Sequence, residues 1–336
     1  MKAFIKDIAI YLPETVLTNE DLEKQFPEWT AEKIIEKTGI KSRHIVSCNE
    51  TALDLAEKAC NNLFFHNESI KENVDFIILC TQSPEYKLPS TSCILQSRLA
   101  LPETVGAFDF SLGCSGYEYG LSIAKGLILA GSAKNILLVT AETYSKYVHP
   151  LDKGNRSLFG DAATATLVST EGFAEICESE FGTDGSKAES LIIKNGGSKN
   201  PHTSNANNEL PTDENGHIIS PDHLYMDGGE IFSFTLKRVP RMIKSLLEKS
   251  SLTMEDIDLF VFHQANAYML SHLKKKLKIE DTRFMFSMED VGNTVSNTIP
   301  IALYHAKEEN RLNNVHNVLL AGFGVGLSWA GTILRI

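Results

Sequence analysis

Apolar positions along this chain follow two periods. Short apolar runs at 5–12, 74–81, 105–112, 135–140 and 164–169 read as strands. Between them apolar residues recur at helical spacing, over 53–64 and 89–99. They do so again at Leu121, Ile123, Ala124, Leu127 and Ile128, with Gly131 as the stop. The run Phe76-Ile77-Ile78-Leu79-Cys80 has no polar member, which predicts a strand covered on both faces. The same order returns in the second half. A helix is predicted over 236–247, an apolar strand over 257–264 and a helix over 267–277, with strands over 315–321 and 327–336. The strands opening with Val74-Asp75 and Ile257-Asp258 match each other about 180 residues apart. The pattern therefore predicts an α/β protein built from two copies of one β/α unit, residues 1–172 and 173–336. A polar stretch, 195–223, rich in Asn, Gly, Ser and Pro, is expected to be a surface excursion or flap.

Composition narrows the function classes. The chain has 336 residues, 43% of them hydrophobic, enough for a large core. With 43 acidic and 32 basic residues its net charge is −11, a poor match to nucleic acid or an anionic membrane. No apolar run reaches membrane-spanning length and no signal-peptide pattern opens the chain. The six cysteines lack zinc-ligand spacing, so no metal is expected. The expectation is a cytoplasmic protein with reduced thiols.

Candidate chemistry lies where strands end. Phe110-Ser111-Leu112-Gly113-Cys114-Ser115-Gly116 carries a strand into a helix through a tight turn. Cys114 stands at the positive end of that helix, which predicts a lowered thiol pKa, and the flanking glycines leave room for another molecule. A buried structural cysteine fits the same residues. His263 follows an apolar strand in Phe262-His263-Gln264-Ala265-Asn266, where α/β sheets collect active sites, although a satisfied buried histidine fits too. Asn293, in Val291-Gly292-Asn293-Thr294, is either a turn or cap residue or a donor. Gly322-Phe323-Gly324-Val325-Gly326 lies between two strands. Phosphate loops need a following helix, so a turn offering a backbone N–H to a substrate oxygen fits better. The order Cys, His, Asn also suits a cysteine hydrolase.

Taken together, these stretches resemble the thiolase superfamily, most closely the β-ketoacyl-acyl-carrier-protein synthase III group. The resemblance spans nearly the whole chain. It rests on Lys37-Thr38-Gly39-Ile40, Arg43-His44-Ile45, Cys114 in its turn, and Leu158-Phe159-Gly160-Asp161. Met226-Asp227-Gly228, His263-Gln264-Ala265-Asn266, Gly292-Asn293-Thr294 and the terminal Gly-Phe-Gly-Val-Gly complete it. It implies the thiolase fold, duplicated β/α units in a five-layered α/β/α/β/α arrangement, and a homodimer. It implies that Cys114 takes an acyl group from a thioester. His263 and Asn293 would then assist decarboxylation of a malonyl thioester, giving a 3-oxoacyl product. The backbone N–H groups of Cys114 and Val325 would form the oxyanion hole. Asn266, Gly228 and Phe232 would line a pantetheine tunnel, and Leu88 would close the partner subunit's acyl pocket. No resident cofactor is implied: acyl-CoA or acyl-carrier-protein thioesters are substrates. The alternative on the same fold is acyl transfer to oxygen or nitrogen without decarboxylation.

The chain departs from the family pattern at several places. Trp29 lies upstream of the position where family members stack a tryptophan on adenine, and Lys33 aligns there. Lys153 stands for an arginine, Tyr268 for the arginine that docks the carrier protein, and Thr294-Val295-Ser296-Asn297 for a run of small residues. The densest basic patch, Lys274-Lys275-Lys276 with Lys278 on the helix after His263, is the expected carrier-docking surface.

Overall fold

The computed structural model describes residues 1–66, 69–201, 212 and 218–336, so most of the polar stretch 195–223 lies outside the described residues. Nine strands build the main sheet. They are β1 (Phe4–Tyr11), β2 (Phe76–Cys80), β3 (Gly106–Phe110), β4 (Asn135–Glu142), β5 (Ala162–Ser169), β6 (Ala174–Thr183), β7 (Leu259–Phe262), β8 (Asn317–Gly324) and β9 (Ser328–Arg335). Their hydrogen-bonded order is β7-β8-β9-β6-β1-β5-β4-β2-β3. The principal helices are α1 (Ala31–Thr38), α2 (Ala52–His66), α3 (Thr91–Arg98), α4 (Gly116–Leu129), α5 (Gly228–Ser250), α6 (Ala267–Leu277) and α7 (Thr298–Glu308).

Strand alternation sorts the side chains into layers. Ile77, Leu79, Leu137 and Val139 face α2 and α3, while Ile78, Ile136 and Leu138 face α4 and α7. In the second half Leu319 and Ala321 face α5 and α6, whereas Val318 and Leu320 turn back to the same α4 and α7. The sheet curls around that central helix pair, with an outer helical layer beyond each half. The five layers foreseen are therefore present. A fully buried Leu or Ile contributes roughly 1.5–3 kcal/mol, and each layer holds several.

The element order repeats. β2 runs parallel to β4, and β4 antiparallel to β5; β7 runs parallel to β8, and β8 antiparallel to β9. α4 precedes β4 as α7 precedes β8. The equivalent of β3 in the second half shrinks to a single parallel bridge, Phe260 to Phe284. β6, which the apolar pattern missed, joins the halves: it pairs with β9 along most of its length and with Phe4 and Ile5 of β1. Its burial is mixed, so it lacks a clean apolar run. α5 begins well before the predicted 236, because Asp227 caps it by accepting from Glu230 N–H and Gly228-Gly229 form its first turn. No described helix is long and apolar enough to cross a membrane.

Candidate active site

Segments distant in sequence meet at one cavity of about 450 Å³, lined by Cys114, His263 and Asn293 together. The turn between β3 and α4 closes with Gly116 N–H donating to Gly113 carbonyl at 2.7 Å. The β8–β9 hairpin presses bare backbone onto this turn. A Cβ on Gly322 would stand 2.6 Å from the Cys114 carbonyl oxygen, and one on Gly324 2.7 Å from Cys114 Sγ. Alternate glycines are what permit that approach. A strand follows them, as expected for a turn that is not a phosphate loop. At the hairpin tip Val325 does not line the cavity, but its backbone N–H and that of Cys114 lie near enough to the sulfur to favour its thiolate.

The Cys114 thiol is not acidic. Burial pushes it up to about 12, against the pull of those two N–H groups. The expectation of a lowered value therefore fails: the helix N-terminus acts on a sulfur stripped of water, and desolvation of the thiolate is the larger effect.

His263 sits one residue past β7, its N–H donating to Ala321 carbonyl at 2.8 Å. The ring lies edge-on to Phe323 with centroids 5.5 Å apart. Its Nδ1 is 2.7 Å from Thr298 Oγ1. Burial drops its pKa to about 3, so the imidazole is neutral. Gln264 is structural: it donates to Phe262 and Met285 carbonyls and accepts from Ser287 N–H.

Asn293 is held from both sides. Its N–H donates to Leu158 carbonyl at 2.8 Å, and Gly160 N–H donates to its carbonyl at 3.0 Å. This explains Leu158-Phe159-Gly160-Asp161: the segment clamps the Asn293 loop, while Asp161 accepts from Val46 and Ser145 backbone N–H groups. Gly292 takes φ +71°, and a Cβ there would meet Leu158 carbonyl at 2.9 Å. Asn293 Oδ1 accepts from Val295 N–H at 3.0 Å, which leaves the Nδ2 donor for the cavity. The site thus offers a sulfur nucleophile with backbone N–H groups near it, a neutral imidazole and an amide N–H.

The mouth is formed by α1, α5 and α6. Gly39, at φ +71°, ends α1 against α6, where a Cβ would stand 2.3 Å from Ala267 Cβ. Asn266 caps α6, its Oδ1 accepting from Met269 N–H at 2.8 Å. Asn266, Gly228 and Phe232 line the cavity, and Tyr268 lies against Phe232 with centroids 5.5 Å apart. A Cβ on Gly228 would meet nothing in the chain.

Three sequence readings need amending. Trp29 does line the mouth despite its offset, under the Lys37 ammonium 4.6 Å from its ring centroid. Trp29 lies in the turn just ahead of α1, whose N-cap is Thr30. Lys153 is held by Glu28 at 2.9 Å. In the basic patch Lys274 pairs with Asp281 and lies over the Phe286 ring, so only Lys275, Lys276 and Lys278 stand exposed there. All lie toward the C-terminal end of α6, away from the mouth. Leu88 is 83% exposed and outside its own chain's cavity. Sequence reading missed Tyr144, Phe323 and Thr298. It also missed Glu142, buried behind the site, which accepts from Gln82 N–H and from the Ser83 and Ser296 hydroxyls. Burial raises Glu142 to about 8. Among the described residues no cluster of His, Cys, Asp or Glu is suited to hold a metal ion.

Duplicated β/α units around a buried Cys, His and Asn define a thiolase-fold condensing enzyme. Residues 108–185 match the family model described as 3-oxoacyl-[acyl-carrier-protein (ACP)] synthase III, and 247–336 match its C-terminal model. The chain is 36% identical over 336 residues to the β-ketoacyl-[acyl-carrier-protein] synthase III 2 of Halalkalibacterium halodurans, covering 99% of this chain and 96% of that one. A solved 3-oxoacyl-(acyl-carrier-protein) synthase III superposes with TM-score 0.97 at 48% identity over 100% of both chains. The 3-oxoacyl-(acyl-carrier protein) synthase of Burkholderia xenovorans does so with TM-score 0.89 at 33% identity, over 100% of this chain and 94% of that one. The chain belongs to the 3-oxoacyl-[acyl-carrier-protein] synthase III family.

Proposed function

We propose that this enzyme loads an acyl group from CoA or an acyl carrier protein onto Cys114 and condenses it with a malonyl thioester, releasing CO₂ and a 3-oxoacyl thioester. The observation that carries this is the convergence of Cys114, His263 and Asn293 on one cavity. In the first half-reaction the Cys114 sulfur attacks the thioester carbonyl. A new C–S bond forms, the old one breaks, and the thiol proton leaves with the departing pantetheine thiol. The carbonyl oxygen becomes an oxyanion facing the N–H groups of Cys114 and Val325.

In the second half-reaction the malonyl carboxylate leaves as CO₂, and its electron pair becomes an enolate. Asn293 Nδ2 and His263 donate to the enolate oxygen. The enolate carbon then attacks the acyl carbon, and Cys114 leaves as thiolate and takes a proton from solvent, replacing the one lost with the first thiol. A neutral imidazole suits this step: it stabilises the enolate without pairing with the malonyl carboxylate. Pantetheine would pass Asn266, Gly228 and Phe232, with no resident cofactor. We take the enzyme to be a cytoplasmic homodimer in which Leu88, exposed in the single chain, reaches the partner subunit.

CO₂ release from malonyl thioester by acylated enzyme tests the reading. His263→Ala and Asn293→Ala should retain acyl loading and lose decarboxylation by about a hundredfold or more each. Parent-rate decarboxylation in both variants, or none in the parent enzyme, overturns it. The second result would favour acyl transfer without decarboxylation.

A further inference from the structure

Among the described residues His263 makes one side-chain hydrogen bond, and its partner is a residue for which the chemistry above gives no role. Thr298 is the first residue of α7, buried beneath the catalytic histidine. Its hydroxyl has one proton and two acceptors within reach: His263 Nδ1 at 2.7 Å and Val295 carbonyl oxygen at 3.1 Å. Where that proton goes decides the histidine tautomer, because a neutral imidazole carries one N–H.

The two arrangements are chemically opposite. If the hydroxyl donates to Val295, then Nδ1–H donates to Thr298, and Nε2 meets the cavity as a bare lone pair. A lone pair there repels an enolate oxygen. If the hydroxyl donates to Nδ1, then Nε2 carries the ring proton and becomes a donor. The distances favour the second. A separation of 2.7 Å is the usual length of a hydroxyl hydrogen bond, whereas 3.1 Å is beyond the common range for a hydroxyl on a carbonyl. The contacts to His263 and to the carbonyl three residues back place the hydroxyl under the ring.

We propose that Thr298 is a positioning residue, whose hydroxyl donates to His263 Nδ1 and so holds the ring in the tautomer with a donor Nε2–H in the cavity. This rests on the proposed role of His263 at the enolate. The burial that keeps the ring neutral makes the tautomer matter, since an imidazolium would have both protons whatever its neighbour did. Thr298 touches no substrate. It acts through His263, on the decarboxylating half-reaction and not on acyl loading.

The test compares Thr298→Val, which keeps the shape and removes the hydroxyl, with Thr298→Ser, which restores it. Acyl loading of Cys114 by intact mass reports the fold and the first half-reaction. CO₂ release from malonyl thioester reports the second. Histidine ¹⁵N NMR, with the His263 signals assigned by their loss in His263→Ala, reports the tautomer directly. Expected are an Nε2-protonated ring in the parent enzyme and a shift toward the other tautomer in Thr298→Val. Loading should be retained in Thr298→Val, with decarboxylation down on the order of tenfold or more, and Thr298→Ser should recover both the rate and the ¹⁵N pattern. An Nδ1-protonated ring in the parent enzyme overturns the proposal. So does parent-rate decarboxylation in Thr298→Val, or an equal loss of both half-reactions that Thr298→Ser fails to repair. A parent enzyme that loads but never decarboxylates malonyl thioester would instead sink the underlying reading, even with the Nε2-protonated ring intact.

Discussion

Cys114 and His263 rest as a neutral thiol and a neutral imidazole, and burial is the first cause in both. Desolvation disfavours any charged form, so it raises the thiol and lowers the histidine together. The resting state is therefore not the thiolate–imidazolium pair that a cysteine at a helix N-terminus suggests from sequence. It follows that His263 should impose no acid limb on catalysis near its ordinary value of about 6.5. Its pKa is depressed to about 3, so the ring stays neutral across pH 5 to 8. The decarboxylation rate measured over that range should show no fall centred at pH 6 to 7 as acid is added. A limb there would mean that the ring gains a proton in the working enzyme and that its burial is relieved by substrate. The donors are likewise set by local hydrogen bonds: Val295 takes the Asn293 oxygen and leaves the amide N–H.

At the scale of elements, α6 joins the catalytic loop to the surface. Its first turn is capped by Asn266 at the cavity, and its last turn carries the lysines. Tyr268, His272 and Lys275 fall at i, i+4 and i+7, so they form one stripe leading from the mouth. An acidic carrier protein meets a molecule of net charge −11, so any attraction must be local. Lys274 is already neutralised by Asp281, which shifts the docking proposal to Lys275 and Lys276. Reversing these two to Glu should raise KM for a carrier-bound substrate more than for the matching CoA thioester. The gap should narrow with salt, because exposed charges are screened over roughly 8–10 Å at physiological ionic strength. Equal effects on both substrates would assign the lysines to helix-end stabilisation alone.

At the scale of the whole molecule, the curled sheet buries polar groups behind the site as well as in it. Glu142 is the clearest case, raised to about 8 by burial. A carboxyl ordinarily near 4.5 that titrates near 8 in the fold binds its proton more tightly in the native state. Stability attributable to it is then highest at acid pH and falls as pH rises from about 4.5 to about 8, by at most about 1.4 kcal/mol per pH unit. Chemical denaturation across this range should show a shallower decline in Glu142→Gln than in the parent. Equal slopes would mean that the carboxylate is better solvated than its surroundings indicate.

The repeat, Cys114 and His263 were legible as apolar periods and strand-end positions, whereas the layer order and the part given to Asn293 came from the family resemblance, because a turn or cap fits Asn293 alone. What escaped depends on depth and on distant partners. β6 has no clean apolar run to announce it. The thiol pKa depends on desolvation that no local motif encodes. Thr298 lies 35 residues from His263 and joins it only because α7 packs beneath β7. Trp29 was set aside by counting along the chain, although the turn that leads into α1 brings it to the mouth.

Intact-protein mass spectrometry with peptide mapping, after incubation with a panel of acyl-CoA and acyl-carrier thioesters, tests the central claim most directly. One acyl mass should appear on the peptide holding Cys114 and be absent in Cys114→Ala. It should disappear on addition of malonyl thioester as a 3-oxoacyl product forms. An acyl mass on another of the six cysteines, or on none with every thioester tried, would contradict the account.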